Sequence, residues 1–277
     1  MTAPKKLAVF AAALAIALGA SVAAGSALEP IGLSNAQPEE EHGGMEDGMV
    51  PGLATAEDGY RLIAEANTVA AGSPTTFRFR ITDDDGTVTD FDITHTKPMH
   101  VILVRRDFNG FQHLHPDMRP DGTWEMQLTI PQAGAYRLFA DFAIDGEKRT
   151  LATDVFVAGD FRPQPLPEPA TVASAGDGYT VELSGDAVVG EESTLEFVVR
   201  HNGRLVDELP MYLGARGHLV ALRDGDLAYL HVHADEERLA FEAEFPSAGA
   251  YRLFLQFQHD GEVRTAAFTV DAEEESR

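Results

Sequence analysis

The sequence predicts an all-β protein built from two tandem antiparallel β-sandwich domains. Three observations predict it: a duplicated set of phrases, an apolar pattern with a period of two, and turn dipeptides between the apolar runs. With 277 residues, the chain is long enough for two domains that each bury a core of their own.

The duplication rests on three phrases that recur in the same order. "DGY" stands at 58–60 and 177–179, "AGAYRLF" at 133–139 and 248–254, and "DGEKRT" at 145–150 is matched by "DGEVRT" at 260–265. Repeats at a fixed order are typical of a domain that is present twice.

Within each copy, apolar and polar residues alternate, as in "TFRFRI" and "TWEMQLTI" of the first copy and "TLEFVV" of the second. This period of two is typical of half-buried antiparallel strands, and we expect seven or eight short strands per copy. The side chains predicted to face inward are Phe77, Phe79, Trp124, Leu128, Tyr136, Phe139, Leu195, Phe197, Phe241, Tyr251 and Phe254. Hairpins are predicted at Asn109-Gly110, Asp145-Gly146, Asp224-Gly225 and Asp260-Gly261.

The repeated "AGAYRLF" makes the fold prediction more specific. A tyrosine after a small-residue turn at the head of a strand resembles the tyrosine corner of immunoglobulin-like sandwiches, with Tyr136 and Tyr251 in that place. A buried aromatic residue without the corner hydrogen bond is the alternative.

The domain boundaries follow from the leader and from the proline spacing. Lys5 and Lys6 precede an apolar run and small residues near Ala27, which predicts a signal peptide over 1–27, or alternatively an uncleaved anchor. Residues 28–56 are acidic and predicted to be an unpacked linker. The sandwiches are placed at 57–158 and 176–272, with a proline-rich linker at 159–175 and an acidic tail at 273–277.

Charge and cysteine content exclude several classes of function. The formal net charge is −24, which repels nucleic acid and attracts cations. No cysteine is present, so neither a disulfide nor a thiolate metal site can form. We expect a secreted or otherwise extracytoplasmic protein that contacts a membrane only through an uncleaved N-terminal segment.

Each copy carries the same histidine arrangement, H-x12-H-x-H. It comprises His100, His113 and His115 in the first copy and His218, His231 and His233 in the second. Residues two apart in a strand share a face. A hairpin centred between 107 and 108 would place His100 opposite His115, so we expect three imidazoles on one face in each copy.

Imidazole ligands suit copper and zinc, and three of them leave a coordination position open. Met118 and Met99 are predicted as further ligands in the first copy, whereas Glu236 and Glu237 lie near the corresponding place in the second. The alternative is a histidine cluster that packs without metal. We expect about two ions per chain, copper before zinc.

The remaining histidines are assigned less specific roles. His95, His201 and His259 have no counterpart in the other copy, so they are predicted to be ordinary surface residues. His42, Met45 and Met49 offer soft ligands within the acidic linker, although a linker without metal is the simpler interpretation.

The motifs "GHLVALR…LAYLHVH" and "FQHLHP", each followed by P-x-AGAYRLF, resemble tandem secreted proteins of actinobacteria. Those proteins are similar in plan to immunoglobulin-like modules of the YtkA-like and CopC-like kind. The resemblance implies copper handling outside the cytoplasm, with a metal-transfer protein at the cell envelope as a partner. The chain contains no CopC copper-site motif. In addition, His231-Val232-His233 is followed by Ala234, where such repeats have proline.

We therefore expect a metal-binding protein for sequestration or delivery rather than an enzyme. A metal-free interaction module is the main alternative, since β-sandwiches serve binding widely. A cupin-like metalloenzyme is a minor one. Gly225, His231, His233 and Glu237 match the first cupin motif, but no second motif follows.

Overall fold

The computed structural model describes residues 50–235 and 237–274, which form two β-sandwiches. Gly48–Arg277 is one compact unit, so the two sandwiches belong to the same body. This range contains no helix where it is described, and hence none that is long and apolar enough to span a membrane. The predicted all-β tandem architecture is confirmed.

The first repeat consists of two five-stranded sheets, with strand orders β1-β2-β4-β8-β7 and β3-β10-β9-β5-β6. All pairings are antiparallel except β3 with β10. The strands are β1 Ala56–Glu57, β2 Tyr60–Ala64, β3 Thr68–Val69, β4 Thr75–Thr82, β5 His100–Arg105, β6 Gln112–Leu114, β7 Asp117–Met118, β8 Trp124–Leu128, β9 Gly134–Ile144 and β10 Glu147–Val157.

The second repeat has one sheet ordered β11-β12-β13-β18-β17, with β14 paired to β13, and a four-stranded sheet ordered β16-β15-β19-β20. The strands are β11 Val172–Gly176, β12 Tyr179–Ser184, β13 Glu192–His201, β14 Arg204–Leu205, β15 His218–Arg223, β16 Tyr229–Leu230, β17 Val232–Ala234, β18 Ala240–Glu244, β19 Gly249–His259 and β20 Glu262–Ala272.

Both predicted tyrosine corners are present. The hydroxyl of Tyr136 donates to the carbonyl oxygen of Gln132 at 2.9 Å, and that of Tyr251 donates to Ser247 at 2.8 Å. Both tyrosines are fully buried, so each hydroxyl needs this partner to offset its lost hydration. The corners fix the start of β9 and β19 in the same way in the two repeats.

Two of the predicted inward residues, Phe139 and Phe254, do not face their own core. Three positions separate Tyr136 from Phe139, so the two side chains of this strand point to opposite faces. Tyr136, Leu138 and Ala140 lie in the core of the first repeat, whereas Phe139 faces the second repeat. The same alternation turns Phe254 toward the first repeat.

In the described residues the two sandwiches share no sheet, but they pack against each other through a buried apolar interface. It is lined by Ile102, Val104, Phe108, Phe139, Ala152, Val220, Leu222, Leu227, Tyr229 and Phe254. These residues come from β5 and its neighbours in one repeat and from β15 and its neighbours in the other. The continuous apolar runs "HVILVR" and "HLVALR" reflect this burial on both faces.

The chain segments outside the sandwiches differ in part from the prediction. Residues 51–56, predicted as unpacked linker, cover the interface: Pro51 accepts a hydrogen bond from the Tyr229 amide, and Ala54 accepts one from Ala152. Gly52 has φ +75, and a Cβ there would lie 2.7 Å from the Phe139 ring. Residues 172–175, predicted as linker, belong to β11. The predicted signal peptide lies outside the described residues.

Candidate metal centre between the repeats

The hairpin of β5 and β6 places three histidines on one face. Val101 pairs with Leu114 and Ile102 with His113, and continuing this register sets His115 opposite His100. The predicted register is therefore confirmed in the first repeat. Val101 faces the core, while Ile102 faces the second repeat, so the three imidazoles lie on the outer face beside the interface.

The ring nitrogens of His100, His113 and His115 converge. One ligand atom from each lies within 4.8 Å of the others. The ring centroids are 5.3 Å apart for His100 and His113, 4.9 Å for His100 and His115, and 4.7 Å for His113 and His115. Three rings this close together can coordinate one ion without rearrangement of the backbone.

Hydrogen bonds orient two of these rings. His100 Nε2 donates to the Thr94 carbonyl oxygen at 3.0 Å, and His113 Nδ1 donates to Gln256 Oε1 at 2.7 Å. We assign this orientation of the Gln256 amide from its second bond, in which Nε2 donates to Thr265 at 3.3 Å. A partner on the second ring nitrogen is what fixes the tautomer of metal-binding histidines.

With these tautomers, lone pairs of His100 Nδ1 and His113 Nε2 face each other across 3.1 Å. Two nitrogens bound to one tetrahedral zinc at about 2.0–2.1 Å would lie about 3.3 Å apart, which is close to the observed separation. His115 Nε2 is buried and has no hydrogen-bond partner. All three nitrogens are therefore available as ligands.

The surroundings keep the three imidazoles neutral. Burial lowers the pKa of His113 to about 3; the bond to Gln256 opposes this, and the neighbouring histidines lower it further. Burial and the proximity of His100 and Lys97 lower the pKa of His115 to about 4. Burial also lowers the pKa of His100, against the bond to Thr94. Only neutral imidazole binds a metal, so the cluster is in its binding form at neutral pH.

His218 of the second repeat joins this cluster instead of its own set. Its ring centroid lies 4.6 Å from that of His113 and 5.6 Å from that of His100, with the rings of His100 and His218 nearly parallel at 6°. Its Nε2 is buried and has no hydrogen-bond partner.

His95, predicted as an ordinary surface residue, lies at the edge of the cluster. Its side chain is exposed, yet its ring is 5.9 Å from His100 and 5.7 Å from His218. It has φ +48 in the turn closed by Thr94 and Lys97, and Leu213 has φ +54 in the matching turn of the second repeat. Sequence comparison of the repeats missed it because its counterpart is leucine.

His231 and His233 lie together, and although His231 and His218 line one cavity, the three ligands do not converge within 4.8 Å. Their Nε2 atoms are 3.0 Å apart, both residues are exposed, and Lys148 Nζ lies 3.2 Å from His231 Nε2. The only group of three or more such ligands within 4.8 Å in residues 50–235 and 237–274 is the first set. The predicted matching cluster in the second repeat is therefore not formed.

The cause is a shorter connection in the second repeat. "AGAYRLF" begins 18 positions after His115 but only 15 after His233. The second chain therefore crosses to the opposite sheet earlier: β16 ends at Leu230, and His233 already pairs with Glu242 of β18. In the first repeat the crossing follows His115, and the opposite sheet is joined only at Asp117.

The structure does not bring the predicted sulfur ligands to the site. Met99 is fully buried in the core of the first repeat, and Met118 is partly exposed on β7 in the opposite sheet. Glu237 is exposed, and its amide donates to Asp235. Glu236, His42, Met45 and Met49 lie outside the described residues.

The last two histidines surround a tyrosine of the second repeat. The His201 ring stacks on Tyr179 with centroids 4.0 Å apart, and His259 Nδ1 lies 2.7 Å from the Tyr179 hydroxyl. The Arg264 guanidinium lies 4.0 Å from the same ring. These contacts explain both histidines as packing partners of Tyr179.

A family model described as a domain of unknown function, DUF8832, matches residues 54–159 and again 171–274. The chain belongs to the DUF8832 family. The two matches agree with the duplication read from the sequence and with the two sandwiches. A search of curated proteins found no significant match. The resemblance to YtkA-like and CopC-like modules stays a prediction.

Several solved structures align with this DUF8832 protein at low identity. The Escherichia coli adhesin FdeC aligns at 14% identity and a TM-score of 0.28, over 80% of this chain and 66% of that one. A Salmonella alpha-2-macroglobulin aligns at 12% and 0.29, over 82% and 15%. Yersinia pseudotuberculosis InvD aligns at 13% and 0.27, over 78% and 58%. The chain thus spans less than two thirds of each of them.

Proposed function

We propose that this protein binds a transition-metal ion outside the cytoplasm, copper before zinc, for sequestration or delivery. The observation that carries the proposal is the convergence of His100, His113 and His115, whose ligand nitrogens lie within 4.8 Å of one another. A buried His115 Nε2 without a partner costs free energy that an ion would offset.

The chemistry of the ligands supports copper or zinc over harder ions. Neutral imidazole is a borderline ligand that suits copper and zinc, whereas magnesium and calcium prefer oxygen. No carboxylate belongs to the group of converging ligands found in the described residues. Copper stands first because the sequence resembles YtkA-like and CopC-like modules and because it predicts export.

Delivery is the part of the proposal that concerns a partner. An ion held by the three imidazoles of the first repeat has a coordination position left for a further ligand, which can come from this chain or be exchanged for one from another molecule. A metal-transfer protein at the cell envelope would be the acceptor. The strongly negative chain would favour the approach of cations and of basic surfaces.

Metal analysis of the purified chain tests the proposal. After loading with Cu²⁺ or Zn²⁺ and gel filtration, elemental analysis should find bound metal in the wild type and little in a variant with alanine at His100, His113 and His115. A variant with alanine at His201 and His259, which pack around Tyr179, should retain it, and circular dichroism checks that each variant is folded. Equal binding by all three proteins, or none by the wild type, would leave the metal-free interaction module as the better hypothesis.

A further inference from the structure

The contact between the repeats has approximate two-fold symmetry. Phe111 of the first repeat stacks on Phe254 of the second with ring centroids 4.1 Å apart. Tyr229 and Phe139, which occupy the equivalent positions, meet in the opposite sense at 5.4 Å. Each repeat therefore presents the same outer face to the other.

This symmetry explains why His100 and His218 meet. They are equivalent residues at the start of β5 and β15, and their side chains follow the alternation that turns Ile102 and Val220 into the interface. Equivalent residues near a two-fold axis contact each other, as the parallel rings 5.6 Å apart show.

His218, the upstream histidine of the second set, lies at this contact with His100. His231 and His233 lie beyond the crossing between sheets, and the ammonium of Lys148 lies 3.2 Å from His231 Nε2. A neighbouring cation opposes the binding of a metal ion at His231. The second set therefore offers an exposed pair beside a positive charge, which is a poor site.

We infer that His218 supplies a fourth imidazole to the cluster of His100, His113 and His115, so that a single ion is held between the two repeats. This rests on the proposed function. The buried, unpartnered Nε2 of His218, on a ring 4.6 Å from that of His113, is the observation that supports it. His218 does not belong to the group whose ligand atoms lie within 4.8 Å of one another, so its ring would have to move inward on ion binding.

An ion bound by all four imidazoles would have a structural effect as well as a defined stoichiometry. Three ligands come from the first repeat and one from the second, and Gln256 of the second repeat already orients His113. An ion bound this way ties the repeats together, because dissociation of the interface would remove a ligand. One ion per chain is expected instead of the two that the duplicated spacing predicts.

Copper titration of the full chain tests the inference, with His231→Gln as the matched control for His218→Gln. Glutamine keeps a polar side chain of intermediate size and removes the imidazole, and circular dichroism verifies folding. The wild type and H231Q should bind one Cu²⁺ with the same affinity and the electron paramagnetic resonance pattern of four imidazole nitrogens. H218Q should keep one ion, lose one nitrogen from the pattern and bind at least ~10-fold more weakly.

Hydrogen exchange provides a second measurement of the link between the repeats. Adding Cu²⁺ should slow amide exchange in β15 of the wild type and of H231Q, but not of H218Q. Two ions per wild-type chain, or H218Q and H231Q behaving alike, would overturn the inference while leaving the proposed function intact. If only the alanine substitutions at His100, His113 and His115 abolish binding, the proposed function is supported and the inference about His218 is overturned. If the wild type binds no copper, the proposed function and the inference are both overturned.

Discussion

The two histidine sets have the same spacing and different environments. In the first repeat, His113 and His115 are partly buried beside the interface with His100 and His218; in the second, His231 and His233 are exposed. The spacing H-x12-H-x-H fixes which strand face the side chains share, but not which sheet the strand joins. The length of the next connection decides that, and it is three residues shorter in the second repeat.

The tyrosine corners and the Asp-Gly hairpins, unlike the histidine sets, are the same in both repeats. Tyr136 and Tyr251 make the same corner bond four residues back. The hairpins at Asp145-Gly146 and Asp260-Gly261 have the same left-handed backbone, with φ of +56 and +83 against +54 and +79. The duplicated fold is thus preserved where local turns define it and diverges where a loop has changed length.

The largest expected effect separates the two sets directly. Alanine at both His113 and His115 should abolish high-affinity copper binding, because it removes two converging ligands. Alanine at both His231 and His233 should leave stoichiometry and affinity unchanged. Isothermal titration calorimetry with Cu²⁺ measures both.

A different result would restore the symmetric interpretation of the sequence. If each double variant removed one of two ions, both sets would be sites, even though His218, His231 and His233 do not converge within 4.8 Å in the structure. Far-ultraviolet circular dichroism and a thermal melt should show that each variant is folded.

The next effect concerns the symmetric interface. Phe139→Ala and Phe254→Ala should each lower the free energy of unfolding by about 3–5 kcal/mol, since each removes a buried aromatic ring from the same apolar cluster. Phe156→Ala, at a position 45% exposed, is the control and should cost far less. Guanidinium-induced unfolding gives the values. If Phe139→Ala cost as little as the control, the repeats would not depend on this contact.

Much of this architecture could be predicted from the sequence, because strands and hairpins are encoded locally. The alternation in "TFRFRI", the Asp-Gly turns and the tyrosine corners all depend on residues close in the chain, and so does the register that sets His100 opposite His115. The direction of the Phe139 side chain could also be predicted from the sequence, because residues three apart in a strand, such as Tyr136 and Phe139, point to opposite faces.

The shared position of His218 could not be predicted in this way. It depends on how two folded surfaces match, and no local pattern encodes the packing of one repeat on another. One signal did exist: "HVILVR" and "HLVALR" are apolar on both faces, which indicates strands covered on both sides. That pattern points to an interface but not to its partner or its symmetry.

The third expected effect is a loss of stability in acid to which the first set contributes. The folded protein holds His113 and His115 neutral, with pKa values of about 3 and 4, whereas the unfolded chain protonates them near 6.5. Below ~6.5 the unfolded state binds more protons, so stability that is present above this pH decreases as pH falls toward 4. Each histidine contributes up to about 1.4 kcal/mol per pH unit.

Urea unfolding of the chelator-treated protein between pH 7 and pH 4 measures this slope. Alanine at His113 and His115 should flatten it relative to the wild type. An unchanged slope in this variant would mean that the two imidazoles are accessible to protons in the folded state.

The smallest expected effect concerns the charge beside the second set. The pKa of His231 is lowered to about 4, by desolvation first and then by Lys148 and His233. Val263 occupies the position in "DGEVRT" that Lys148 has in "DGEKRT". Lys148→Val should therefore raise the pKa of His231 only slightly. Desolvation lowers this pKa more than Lys148 does, and solvent screens the charge of Lys148. Proton NMR titration measures the shift.

Lys97→Val is the matched control. Lys97 lies near His100 and His115, so this substitution should raise the pKa values of those two histidines and leave the pKa of His231 unchanged. If both variants moved His231 equally, the effect would be one of net charge, and the contact at 3.2 Å would not distinguish the second set from the first.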